Sequence, residues 1–129
     1  MAKWTIYDYK DERDGNLMCS WSKRLQKKER AKLNNRIDAL AMHGTDLIPG
    51  IVAPTGTASI FKLKVHGKVQ LRPMLCEGPG KGEPEFTFLL GAKEIQFTYD
   101  PPGAPETAAE LRENLVKNPK LRCEHERVG

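Results

Sequence analysis

Between Ile60 and Cys76 apolar and polar residues alternate almost one for one, interrupted at His66-Gly67. A period of two fits a strand with one buried face, because successive side chains leave a strand on opposite sides. Phe61, Leu63 and Val65 share one face of a first strand, and Val69 and Leu71 point inward from a second. The tight His66-Gly67 turn joins the two as a β-hairpin. Pro73 has no amide to give to a ladder and predicts a bulge or an edge in the second strand.

What covers such a hairpin is helical. From Ser20 to His43, Trp21 and Leu25 are four apart, Leu33 and Ile37 are four apart, and Leu40 follows three later. This is one apolar stripe at helical spacing. Ser20 or Ser22 can serve as N-cap, and His43-Gly44 is a stop signal. The stripe weakens at Lys27-Lys28-Glu29-Arg30, so a bend or a break into two helices falls near Lys28. Lys3 to Tyr9 alternates as a strand, with Trp4, Ile6 and Asp8 on one face, and Asp11 to Asn16 is a polar turn. Pro49-Gly50, Pro54 and Gly56 make Thr45 to Ser59 a loop. Glu85 to Leu90 reads as a third strand of the meander, and Gly91 to Tyr99 as strand or turn. Ala108, Leu111 and Leu115 place a closing helix over Glu106 to Lys117, ended by Asn118-Pro119.

The expected architecture is α+β: a helical hairpin or bent helix on a small twisted antiparallel sheet, with a C-terminal helix. The chain reads as a single domain over residues 1–129, with a core at about 3–117 and a charged tail at 118–129. Hydrophobic residues at 39% and charged residues at 29% fit a folded protein. No apolar run approaches the roughly 20 residues of a membrane span, and Met1 to Ile6 lacks the apolar core of a signal peptide. A cytoplasmic protein without membrane partners is expected. Cys19, Cys76 and Cys123 are odd in number and widely spaced, which argues against a disulfide framework. Cys123 and His125 alone do not close a zinc site, so neither metal nor cofactor is expected. Gly78-Pro79-Gly80-Lys81-Gly82 is no phosphate cradle, because Pro79 removes an amide and a strand follows in place of a helix.

The net charge of +4 is compatible with a nucleic-acid partner. The basic run from Lys23 to Arg30 can contact phosphates or be a solvated helical face. The hairpin carries the sharper pattern. Lys62 and Lys64 share one parity on the first strand, Lys68 and Arg72 share one on the second, and His66 sits at the turn. Polar-out alternation gives such a row in any half-buried hairpin. Here the row holds no acid, and like charges across a hairpin repel unless an anion sits between them, which points to a polyanion. A guanidinium is seldom buried without a partner, so Arg72 is expected to be partly accessible.

The order of these segments resembles RelE/HigB-type toxins of type II toxin–antitoxin systems, in their phage-derived branch. Trp21 to Gly44, ending Leu40-Ala41-Met42-His43-Gly44, is similar to their N-terminal helical hairpin. Phe61-Lys62-Leu63-Lys64-Val65 followed by Leu71-Arg72 resembles their Glu-Leu-Arg strand and the Tyr-Arg strand after it. Leu89-Leu90-Gly91-Ala92-Lys93-Glu94 resembles their Leu-Leu-His-Gly-Phe-x-Lys-Lys strand end, and Pro101 to Leu115 their closing helix. Lys62 stands where the family has Glu, Lys64 where it has Arg, and Glu94 where it has Lys.

The resemblance implies a metal-independent messenger-RNA endoribonuclease, free or ribosome-dependent, held inactive by a cognate antitoxin. It implies Arg72, Lys64 and Lys93 as catalytic cations; Lys62, Lys68 and His66 are expected to contact RNA from the hairpin's basic pattern alone, and His66 is not a family position. The departures leave a second possibility, a catalytically degenerate protein-binding or virion-assembly module whose partners are phage structural proteins. A gyrase-poisoning toxin of the same fold is a third.

Overall fold

The structure, a computed structural model, describes residues 3–79 and 84–129. Met1, Ala2 and the middle of the glycine-rich loop, residues 80–83, lie outside the described residues. Strand β1 (Thr5–Tyr9) leads into α1 (Leu17–Arg24) and α2 (Lys27–His43). A 3-10 turn over Gly44–Leu47 precedes β2 (Val52–Pro54), β3 (Phe61–Leu63), β4 (Gln70–Leu71), β5 (Met74–Glu77), β6 (Glu85–Leu90), β7 (Lys93–Ile95) and β8 (Thr98–Asp100). Helix α3 (Ala104–Lys117) and β9 (Arg122–Glu124) close the described chain.

The expected α+β class holds, with helices on both faces of the sheet. The main sheet has six strands in the order β2-β3-β5-β6-β1-β9. Leu33, Ile37 and Leu40 of α2, with Met18 and Trp21 of α1, pack on Leu63, Leu75, Phe86 and Phe88. Ala104, Ala108, Leu111 and Leu115 of α3 pack on Met74, Cys76, Leu89 and Leu90 from the other side. Strand β6 is consequently buried along its whole length. Its near-continuous apolar run is the pattern of a strand covered on both faces.

The sheet is mixed, where the sequence predicts an antiparallel one. Strand β1 pairs parallel with β6, from Thr5 opposite Glu85 to Asp8 opposite Phe88. A parallel partner needs a long crossover, and the helices and the meander supply it. The helical segment breaks at Leu25-Gln26, just ahead of the expected point, because Gln26 caps a new helix: its amide donates to Glu29 Oε1 at 3.1 Å. The first N-cap is Asn16, ahead of either serine; its side chain accepts from Cys19 N at 2.9 Å.

The expected hairpin also differs. Leu71 meets Val65 through one bridge only, so residues 66–70 form a wider connection than a two-residue turn. At Arg72-Pro73 the second strand divides. Its first half, β4, leaves to pair with β7 in a separate three-stranded sheet, β4-β7-β8, and its second half, β5, stays beside β3.

The charged tail is built in. Strand β9 lies antiparallel to β1 as an edge strand. Behind it His125 Nδ1 lies 2.8 Å from Asp8 Oδ1, and the amide of Glu126 donates to Asp8 Oδ2 at 2.9 Å. The Asn16 side chain donates to the same oxygen. Asp8 is fully buried, and a buried carboxylate requires donors on its oxygens. That requirement is what orders the tail, together with an Arg127–Asp38 ion pair at 2.6 Å.

Candidate nucleic-acid interface

The basic residues singled out on the hairpin fall into separate places. Lys62 and Arg72 leave the sheet on the side opposite Leu63 and Leu71, as parity dictates. Lys62 Nζ donates to Glu94 Oε1 at 3.2 Å and to the Tyr99 hydroxyl at 2.9 Å. Arg72 Nε lies 3.4 Å from the same Glu94 oxygen. The Arg72 terminal nitrogens donate to Leu71 O at 2.8 Å and to Gln70 Oε1 at 3.2 Å. Arg72 is 5% exposed, so the partial accessibility expected from sequence is not found. Two neighbouring cations do need an anion between them, but the chain supplies it. Strand β7 pairs with β4 and sets Glu94 opposite Gln70. Burial works to lower the Lys62 pKa, yet the bonds that it donates to Tyr99 and Glu94 outweigh it and hold the ammonium above its ordinary value. Lys62 is therefore a fixed positive charge at neutral pH and not a proton acceptor.

His66 and Lys68 occupy the connection before β4, where it faces α2. Between them lies a groove of about 450 Å³, lined by Lys28, Glu29, Lys32, His66, Lys68 and Leu71 among others. A shallower hollow shares Lys32, Val65 and His66 with it and continues past Asn35 to Arg36. Lys28, Lys32 and Arg36 are spaced by four along α2, so they stand on one helical face. Among the described residues no ion pair engages Lys28, Lys32, Arg36 or Lys68. The acidic group lining these hollows is Glu29. Clustered cations without internal partners favour an anion in the space between them.

Gln70 connects the two places. Its amide nitrogen donates to Gly67 O at 2.9 Å, which fixes its oxygen as the other atom. That oxygen accepts from Arg72, which can only donate, and lies 3.0 Å from His66 Nδ1. His66 Nδ1 is thus the donor, and in the neutral ring Nε2 keeps its lone pair. One polar chain runs Tyr99–Lys62–Glu94–Arg72–Gln70–His66 and ends on an exposed imidazole at the lip of the basic groove.

Lys64 and Lys93 are not brought to this groove. Lys64 is half-buried beyond the end of β3, its amide bonded to Ile51 O at 2.8 Å. Lys93 lines a separate hollow with Trp21, Arg24 and Asp100. Sequence reasoning missed Gln70, Glu94 as the internal counter-ion, and the Lys32 and Arg36 contribution from α2. The spacing of four from Lys28 to Arg36 was the legible signal for the last of these. Among the described residues no group of three or more His, Cys, Asp or Glu side chains could hold a metal ion, and no helix is long and apolar enough to cross a membrane. No family model matches the chain, and no curated protein or solved structure is significantly similar to it.

Proposed function

We propose that this chain binds single-stranded RNA in the groove between α2 and residues 66–70 and cleaves it without a metal, as a RelE/HigB-like toxin neutralised by an antitoxin. The observation that carries the reading is the convergence of Lys28, Lys32, Arg36 and Lys68, none ion-paired among the described residues, around an imidazole whose Nε2 is free to accept a proton. His66 Nε2 takes the proton of a ribose 2′-hydroxyl, and the 2′-oxygen bonds to the adjacent phosphorus. The bond from phosphorus to the 5′-oxygen breaks, and that oxygen leaves with a proton from water or a neighbouring ammonium group. The products are a 2′,3′-cyclic phosphate and a 5′-hydroxyl end. Lys32 and Lys68 stabilise the charge that grows on the phosphoryl oxygens. In this reading Arg72 is a positioning residue that holds His66 through Gln70, and Lys62 with Glu94 holds Arg72 in turn.

The resemblance assigns its cationic roles differently, to Arg72, Lys64 and Lys93. The groove favours His66 and Lys68 because their side chains face unpaired cations and open space. Messenger RNA, free or on a ribosome, is the substrate proposed, and a small protein covering the groove is the antitoxin. One observation favours the second reading, a binding module without catalysis. Glu94, itself a departure from the family pattern, engages Arg72, the cation that pattern carries over best, together with Lys62.

Binding of a labelled single-stranded RNA, titrated at several salt concentrations, tests the groove. Lys32→Ala and Lys68→Ala should each weaken binding and flatten the salt dependence by about one unit of log–log slope. Equal affinity and slope in both variants would place the RNA elsewhere. Induced expression without an antitoxin then separates the two readings, with growth arrest for the toxin and normal growth for the module.

A further inference from the structure

We infer that the β7–β8 hairpin is a base-stacking finger: Phe97 at its tip takes the face of an unpaired nucleobase in the RNA strand that the Lys32–Lys68 groove holds. This rests on the proposed RNA-binding reading and adds to it a residue and a contact.

The tip is built against local preference. Ile95 pairs with Thr98, so Gln96 and Phe97 form a two-residue loop. Both have positive φ, 47° and 69°. Such a turn suits Asn-Gly, because a Cβ in the left-handed region crowds the backbone. A bulky residue at positive φ is an outlier, and outliers of this kind are retained where the side chain has a task. Packing within the fold is not that task. Phe97 is 97% exposed and Ile95 beside it 53%.

The position of the tip suggests the task. Strand β7 pairs antiparallel with β4, Glu94 opposite Gln70 and Lys93 opposite Leu71. The ladder ends there, because residues 67–69 are a bend, so the tip of the β7–β8 hairpin lies beyond Gln70, which follows Lys68 and Val69 directly in the chain. Both Val69 and Lys68 line the basic groove. A protruding aromatic beside a groove of unpaired lysines is the combination that binds single strands: cations track the phosphates and the ring takes a base. A protein partner fits less well, because its anchors need a surrounding patch that excludes water. Among the described residues the other exposed large apolar side chains, Met42 and Val116, belong to α2 and α3 and do not extend this tip.

The test uses the full chain and single-stranded RNA of about ten nucleotides, with one fluorescent 2-aminopurine moved through successive positions. For the wild type, fluorescence should be quenched strongly at one position as the base stacks. Phe97→Ala should abolish that quenching and weaken binding roughly five- to a hundredfold, the range for losing one aromatic platform. Phe97→Trp should keep both. Phe97→Gly should lose them while leaving Tm unchanged or higher, because glycine relieves the positive φ. A lower Tm for Phe97→Gly would mean a structural ring and overturn the inference. RNA bound with full affinity by Phe97→Ala would also overturn it, leaving the RNA-binding reading standing and a protein contact as the role of the tip. No RNA binding by the wild type at low salt would overturn both together.

Discussion

Arg72→Ala distinguishes a structural guanidinium from a phosphate clamp. Read from sequence parity, Arg72 faces outward, and its loss would lower stability by about 1 kcal/mol or less, as at a mostly exposed site. The structure predicts more. Truncation removes charged-donor bonds to the buried Leu71 O and the partly buried Gln70 Oε1 and leaves both with fewer donors. It also takes one cation from Glu94, whose other partner, Lys62 at 3.2 Å, remains. Breaking a buried ion pair outright costs about 3–5 kcal/mol, and that figure needs lowering because Glu94 keeps Lys62 and its side chain is 25% exposed. The expected loss is about 3 kcal/mol, or roughly a 10 °C drop in Tm for a chain of this size. Urea titrations of wild type, Arg72→Ala, Glu94→Ala and the double variant give the coupling energy, expected at about 1–3 kcal/mol. A loss under about 1 kcal/mol with negligible coupling would refute the internal network, and combined with lost RNA cleavage would restore Arg72 as the clamp.

The tail and the cysteines give further expectations. His125→Ala removes a donor from fully buried Asp8 and should lower stability by about 2–3 kcal/mol in urea unfolding; a loss below about 0.5 kcal/mol would show that the tail is not anchored there. Glu126 is held below its ordinary pKa by hydrogen bonds from Asn16 and Cys123, so its contribution is complete above pH 4.5 and fades as pH falls through the lowered value. Glu126→Gln should therefore flatten the acid limb of the stability profile, and an unchanged profile would contradict that assignment. Burial pushes the Cys76 thiol up to about 12 and Cys123 to about 11, and raises Cys19. At pH 8 the native protein should react slowly with a thiolate-selective reagent at all three sites; a rapid stoichiometric reaction would contradict this.

The three helices and strands β1, β3 and β6 were legible because their apolar periods are local, whereas β2, inside the expected loop 45–59, and β9, inside the expected tail, are too short to show a period. Trp21, Leu25, Leu33, Ile37 and Leu40 announce α1 and α2, and Phe61, Leu63 and Val65 announce β3. The parallel pairing of β1 with β6 was not legible, because a register between distant segments leaves no local trace. The division at Pro73 was half-read: the missing amide predicts a disruption, but that β4 would leave for β7 depends on residues more than twenty positions away. The same remoteness hid the counter-ion. The hairpin's row of cations demands an anion, and only the pairing of β7 shows that Glu94 meets Lys62 and Arg72. The tail looked unattached because the buried Asp8 that binds it lies at the opposite end of the chain. Of the residues named for chemistry, His66 and Lys68 gained a common setting with α2, and Lys64 and Lys93 did not.

The central claim is that His66 is a general base in a basic RNA groove. Its most direct test is scission of a single-stranded RNA by wild type and by His66→Ala in excess chelator, with the new ends identified. The account predicts 2′,3′-cyclic phosphate and 5′-hydroxyl ends from the wild type. It predicts a rate at least about a hundredfold lower for His66→Ala, with RNA affinity changed only a few-fold. Cleavage at an undiminished rate by His66→Ala, or an intact RNA bound but never cut by the wild type, would contradict it.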